Sequence, residues 1–525
     1  MSHFSWLYDG SIVGVYLLAT MVAGIMVRKY VGKVDHFLIA GREMNVYLGI
    51  ASLAATEFGV VTCMYTAQNG YLFGFAGAIP GILMAAAMLV VGLTGFCVKP
   101  LRDAGVMTIP ELFQKRFGTR IRWAAGVVIV LGGLLNMGVF LRTGGEFLVL
   151  VCGINAPSGS TSNPLMQFIS AHYLEITMSV LLLMVAVYTI LGGMLSVLVT
   201  DFLQFIVMSG GLIVVTILIL VNVGWDKLVN AVQTTYGQGG FNPFVHKEMG
   251  WEYVVFNALL NTAAVLTWQT TIQRLLAAKD TQTGRKIYTR TSFFFVCRFL
   301  IPGIWGIAAL ATLSPEIVGS DTLTAMPKFL STFVPVGLMG LLIAAMLAAD
   351  MSTDSSYMLT WGSVIWNDIL APFRKTQWSE KRGILWNRMI VGLIGIFLLF
   401  YGLWYHSNGP LWNYLTITGT IYLASMSVLL VACCYWKRAN NWGAAGAIIF
   451  GAIIPVAYLA TQVAWQVPAL DKFGKVIIEA GKVKMASPID DIIGTSVSGI
   501  AAFAAAALAM IIGSYLKPRS KSQAA

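Results

Sequence analysis

Charge is what this sequence has little of. Asp, Glu, Lys and Arg make up 11% of its 525 residues, against roughly 25% in soluble domains. A water-exposed surface cannot be built from so few charges, and a soluble globular chain is excluded. Metal-ligand spacing is missing as well. The 6 cysteines (Cys63, Cys97, Cys152, Cys297, Cys433, Cys434) are scattered through apolar runs and read as buried thiols. There is no nucleophile elbow and no phosphate loop, so a membrane enzyme is not expected. The first apolar run has no basic flank before it and no small-residue cleavage site after it, so neither is a cleavable signal peptide. No connection is long enough for a soluble domain; the longest polar ones span about 224–251 and 466–490.

Hydrophobic sequence is what remains, at 57% of the chain. It falls into about 13 apolar crossings, near 11–27, 46–68, 73–97, 123–152, 173–191, 195–223, 252–273, 291–313, 333–366, 389–405, 410–435, 442–465 and 491–516. The reading is an all-α polytopic membrane protein embedded in a lipid bilayer. An odd count puts the termini on opposite faces. Of the 34 Lys and Arg residues, 25 fall in connections on one face, including Arg28, Lys115, Arg274, Lys375, Arg382, Arg519 and Lys521. Lys227, Lys247, Lys328, Lys472, Lys475, Lys482 and Lys484 fall on the other. Basic connections stay cytoplasmic, which places the N-terminus outside and the C-terminus inside. The net charge of +11 is then a topology signal, and no nucleic-acid partner is needed to explain it.

A few polar groups remain inside crossings, where an ionisable side chain costs at least about 2.5 kcal/mol on the insertion scale. The densest set is Ala348-Ala349-Asp350-Met351-Ser352-Thr353-Asp354-Ser355-Ser356. Ala349, Ser352, Thr353 and Ser356 share one helical stripe, with Ser355 beside it. Such a stripe offers hard oxygens without bulk, which suits an alkali cation. The bland alternative is hydroxyls bonding back to their own helix. Glu57 sits among Ser52-Leu53-Ala54-Ala55-Thr56-Glu57-Phe58-Gly59. This is either a broken helix whose free carbonyls face a cation, or a packed helix with Glu57 paired to an arginine. Arg142 and Glu146 stand i, i+4 around Gly144-Gly145, either as an internal ion pair or as a solute contact. Arg298 either binds solute or neutralises Glu57 or Asp350. Asp201 lies several residues into its crossing and is either a functional group or structurally paired. Asn261, Trp268 and Gln269 suit a neutral polar solute or interhelical amide bonding. Tyr414, Thr416, Thr418 and Thr420 form a further polar stripe.

Several of these stretches match one family. The glycine–arginine pair Gly41-Arg42, Thr200-Asp201 with Gln204, Gln273-Arg274 with Ala277-Ala278-Lys279-Asp280, and Ala349 to Ser356 followed by Asn367-Asp368 together resemble the sodium/solute symporters. That group includes bacterial proline, sialic acid and galactose symporters and the animal sodium/glucose cotransporters, and the resemblance covers nearly the whole chain. It implies a leucine-transporter-type fold in one transmembrane domain. A leading helix (1–45) precedes two inverted five-helix repeats (46–223 and 252–435) and two trailing helices (442–516). The first helix of each repeat is expected to be unwound, at Ala54–Gly59 and Asn261–Gln269.

By motif, the resemblance implies a sodium site from backbone oxygens of Ala55, Phe58 and Ala349 and hydroxyls of Ser352 and Thr353. It implies a second from Asp201, Ser352, Ser355 and Ser356. Solute contacts are expected from Thr56, Glu57, Thr62, Arg142, Asn261, Gln269 and Arg298. Asn261 falls where sugar carriers have Asn, and Arg298 where they have Lys. Glu57 falls where proline-type members have Asp and sugar types Asn, and Arg142 near the carboxylate-binding Arg of the sialic acid type. Ala264 departs from the inner-gate Tyr of galactose-type members. The expected function is sodium-coupled import of a small polar solute, a sugar or sugar acid, with two Na+ per cycle, by a monomer in a bacterial inner membrane. The rival readings are a proton-coupled or amino-acid/carboxylate carrier of the same fold, and a non-transporting sensor.

Overall fold

The computed structural model describes residues 3–154, 164–374, 378–405, 409–469 and 485–517, together with 476, 478, 479, 482 and 483. Lys375, Lys472, Lys475, Lys484, Arg519 and Lys521 lie outside the described residues. The helices that carry the argument are α1 (Tyr8–Val27), α2 (Val46–Glu57), α3 (Val60–Phe73), α4 (Ile79–Thr94), α5 (Thr119–Met137), α6 (Phe140–Cys152) and α7 (Tyr173–Asn222). They continue with α8 (Gly250–Thr267), α9 (Gln269–Ala277), α10 (Thr281–Thr312), α11 (Leu338–Val364), α12 (Glu380–Trp404), α13 (Leu411–Tyr435), α14 (Asn441–Ala464) and α15 (Gly494–Leu516). Among the described residues, 10 helical segments are long and apolar enough to span a bilayer. Helices dominate because hydrocarbon offers no partner for a backbone N–H or C=O, so each segment must satisfy its own.

The one very long helix shows the same constraint. At 50 residues, α7 would run about 75 Å if straight, far beyond the about 30 Å of hydrocarbon. It turns at Gly193, whose φ of 54° and ψ of −147° leave the helical region. This is where the sequence separates the crossings 173–191 and 195–223. The turn brings Gly193 against Phe37, with room for no side chain: a Cβ there would lie 2.6 Å from the Phe37 ring.

The molecule is organised around α11. Every residue from Met339 to Val364 except Leu341 is buried, so its serines and aspartates face protein and not acyl chains. Helices α7, α1, α2, α6 and α9 pack around it. Helix α10 lies against α3 and α4, α13 against α14, and α14 against α15.

Both unwound points exist and are narrower than the sequence suggests. Helix α2 is regular through Glu57 and breaks only at Phe58 (φ −120°, ψ 65°) and Gly59 before α3 begins. Helix α8 is regular through Thr267 and breaks at Trp268 (φ −65°, ψ 116°), so Asn261 lies in intact helix. Ala, Thr and Glu tolerate helix well; the interruptions sit where another element takes the place of the next turn. At Trp268 the indole Nε1 donates to Tyr357 Oη at 3.0 Å and the ring stacks on Tyr422 at 5.7 Å.

Gly193→Ala adds both a strained conformation, worth about 1–3 kcal/mol, and a clash with Phe37. We expect a thermal unfolding midpoint lowered by several degrees in detergent, measured by intrinsic-fluorescence melting, with Gly210→Ala, which meets nothing within 4 Å, close to wild type.

Candidate functional site

The break in α2 is built against α11. Thr353 Oγ1 donates to the Thr56 carbonyl at 2.9 Å. Gly59 is pressed on the same side chain, and a Cβ on it would meet Thr353 Oγ1 at 2.7 Å. Phe58 N–H reaches the Ala55 carbonyl at 3.3 Å, and the ladder resumes with Cys63 N–H on the Gly59 carbonyl at 3.1 Å. Thus the expected first sodium ligands Ala55, Phe58 and Thr353 meet where backbone oxygens have left the regular helical pattern. Ala349 and Ser352 lie within the preceding turn of α11, both fully buried.

Below this lies a second cluster, around Asp201 of α7. Ser352 Oγ donates to Asp201 Oδ1 at 2.6 Å and Ser52 Oγ to Oδ2 at 2.5 Å. Ser355 Oγ donates to the Ser352 carbonyl at 3.1 Å, and Thr56 Oγ1 pairs with Ser356 Oγ at 2.9 Å. All four expected second-site residues are therefore together. A fifth group, which the sequence reading assigned to a cytoplasmic connection, stands among them. Arg274 is fully buried, correcting that placement. Its Nη2 donates to Thr56 Oγ1 (2.7 Å), Asp201 Oδ2 (3.4 Å) and Ser356 Oγ, and its Nε to Ser52 Oγ (3.2 Å). Ile272, Leu275, Leu276 and Ala277 around Arg274 are buried with it.

A small cavity of about 80 Å³ adjoins the α2 break. Its wall includes Thr56, Glu57, Thr62, Asn261 and Arg298 from the expected solute set, and Thr353. Glu57 Oε1 accepts from Thr270 (2.7 Å) and Thr271 (3.2 Å), while Oε2 lies 3.4 Å from Arg298 Nη1. Arg298 Nη2 donates to Tyr65 Oη (3.1 Å) and Thr62 Oγ1 (3.3 Å). Its Nε is buried without a partner among the described residues. Tyr65, Trp268, Phe299 and Trp412 supply apolar faces, and Ala264 stands on the wall where a bulkier gate residue would fill space.

The remaining sequence candidates lie elsewhere. Arg142 is outside that wall; its Nε pairs with Glu146 at 2.7 Å and its Nη1 bonds the Gly402 carbonyl at 3.2 Å. Gln269 opens α9, buried but not on the wall. Thr416 reaches the wall, whereas Thr418 and Thr420 bond back to their own helix at 2.7 Å each and Tyr414 donates to the Leu135 carbonyl. Asp350 lies against Gly144 of α6, away from Arg298. Among the positions that sequence reasoning did not single out for the cavity are Tyr65, Phe140, Phe299, Tyr357 and Trp412, aromatics indistinguishable by pattern from ordinary packing residues.

Two interrupted helices facing a hydroxyl-bearing one, with a largely aromatic cavity carrying a few polar groups beside them, define a cation-coupled membrane transporter. Residues 37–451 match the Sodium:solute symporter family, and the chain belongs to it. It is 26% identical to sodium/glucose cotransporter 4 of Mus musculus over 503 residues, covering 88% of this chain and 70% of that protein. It is 28% identical to sodium/glucose cotransporter 1 of Mus musculus (87% and 72%) and 24% identical to the sodium/myo-inositol cotransporter of Bos taurus (88% and 68%). A solved substrate-bound, outward-open Na+-coupled sialic acid symporter superposes with a TM-score of 0.74 at 19% identity, over 98% of both chains. The fold is of the leucine-transporter type, the protein is a multi-pass membrane transporter and not an enzyme, and sodium is its coupling ion.

Gly59→Ala would drive a methyl group into Thr353. We expect wild type to melt higher when sodium replaces choline, and Gly59→Ala to abolish that rise and to lower the sodium-free midpoint by a few degrees.

Proposed function

We propose that the chain imports a polyhydroxylated solute, a sugar or sugar acid, with two sodium ions per cycle by alternating access. The observation that carries this reading is the Glu57–Arg298 pair on the cavity wall, one helix break from the Thr353–Thr56 bond. Hydroxyls can donate to Glu57 and accept from Arg298 Nε, and a carboxylate can take the guanidinium directly. Aromatic faces of Tyr65, Phe299 and Trp412 suit the C–H faces of a sugar ring.

In this reading one sodium is held by Ala55, Phe58, Ala349, Ser352 and Thr353, and a second by Asp201, Ser352, Ser355 and Ser356. Thr56, Glu57, Thr62, Asn261 and Arg298 hold the solute, while Gln269 and Arg142, off the cavity wall, do not. Sodium ties α2 to α11 and so orders the cavity; solute then binds better with sodium, and sodium better with solute. Rocking of one helix bundle opens the site inward. Each positive charge carried adds about 2.3 kcal/mol per 100 mV of inside-negative potential. The cavity lies within one chain, so a monomer suffices, in the plasma membrane, the inner membrane of a bacterium.

Proteoliposomes test this. An inward sodium gradient should raise uptake of a matching sugar or uronate at least tenfold over choline, and Ser352→Ala with Thr353→Ala should remove the increase. Arg298→Ala should weaken solute at least tenfold while the sodium-linked melting shift persists. Uptake driven by a proton gradient without sodium, or preference for amino acids over sugars, overturns the reading.

A further inference from the structure

The cluster around Asp201 already holds a cation, and it belongs to the chain. We propose that the Arg274 guanidinium is a tethered competitor for the second sodium site, which admits sodium only when Arg274 withdraws. The proposal rests on the two-sodium reading above.

The geometry supports it at each ligand. Asp201 brings one negative charge to a pocket where it and Arg274 are both fully buried. Arg274 neutralises it, so nothing electrostatic draws in a second cation while the arginine stays. Ser356 Oγ, an expected sodium ligand, accepts from Arg274 and pairs with Thr56 Oγ1. The guanidinium takes one of the two lone pairs of that hydroxyl oxygen, so sodium and arginine would draw on the same ligand. Thr56 and Ser52, both on α2, are bonded to Arg274 as well, at 2.7 and 3.2 Å. The arginine thereby ties α9 to α2, α7 and α11 at once, so its withdrawal would loosen the two halves of the molecule together. No other charged side chain bonds to Asp201 among the described residues.

Thermal unfolding of the purified full-length protein, with sodium titrated against choline at constant ionic strength, reads this without transport. Arg274→Gln should lower the sodium-free melting temperature, because Asp201 loses its counter-charge. Sodium should restore it at a concentration at least tenfold below that needed for the weaker site in wild type. Asp201→Asn with Arg274→Gln should abolish that component, and being neutral it controls for a single variant that does not fold. Equal midpoints in Arg274→Gln and wild type overturn the competitor. If Asp201→Asn titrates like wild type while Arg274→Gln gains an Asp201-dependent sodium, Arg274 replaces the second sodium permanently. The two-sodium reading then fails and the competitor stands.

Discussion

The structure depends on one contact, a threonine hydroxyl on a carbonyl where a helix stops. In hydrocarbon a broken helix leaves backbone oxygens with no water to take them, and each must find a partner or be costly. The α2 break survives because α11 supplies one: Thr353 Oγ1 on the Thr56 carbonyl at 2.9 Å. That bond is also a weakness built in place. A hydroxyl that satisfies a carbonyl by donating a proton presents its own lone pairs to whatever lies in the gap, and the surrounding oxygens of Ala55 and Phe58 do the same. A desolvated monovalent cation is the species that benefits from all of them at once. The same atoms that make the break tolerable are the ones proposed to hold sodium.

Burial of charge is the second constraint, and the buried ion pairs that meet part of it join different elements. Arg274 of α9 meets Asp201 of α7; Arg298 of α10 meets Glu57 of α2; Arg122 of α5 meets Asp368 just beyond α11 at 2.8 Å. Removing one partner of a buried pair is far more costly than the net worth of the pair, so each pairing holds two helices in register more firmly than its energy suggests. Pairs of this kind are well suited to a moving machine. Both charges remain compensated while the pair is closed, and an incoming ion or polar solute can take the place of one partner as it opens. The Arg142–Glu146 pair differs: it joins residues of one helix and ties nothing together except through the Gly402 carbonyl.

Much of this was legible in the residues. The stripe Ala349, Ser352, Thr353 and Ser356 announced a buried polar face because no other run mixes hydroxyls and acids so deep in apolar sequence. Glu57 and Arg298 were legible as isolated charges needing a partner, and the open choice between solute and ion pair resolves as a pair on a cavity wall. What local pattern could not yield is depth. Arg274 follows an apolar segment and precedes Lys279, Asp280 and Arg285, so by position it reads as a loop charge, although α9 carries it back into the core. The width of the breaks was equally hidden. Ala54, Ala55 and Glu57 are good helix formers and the segment stays helical through Glu57, and the approach of Thr353 to Gly59, a contact 294 residues away in sequence, marks where the helix ends.

Net charge then links the two clusters. Around the break, the expected first-site ligands are all neutral oxygens, so a cation there adds a full positive charge to the protein interior. Asp201 shares Ser352 with that site through a 2.6 Å bond. A cation at the break polarises Ser352 towards donating its proton and so strengthens that bond. The strengthened bond in turn makes Asp201 a weaker partner for Arg274, already its longest contact at 3.4 Å. In the proposed cycle, filling the neutral site would therefore loosen the arginine in the charged one, through the single serine hydroxyl standing between them.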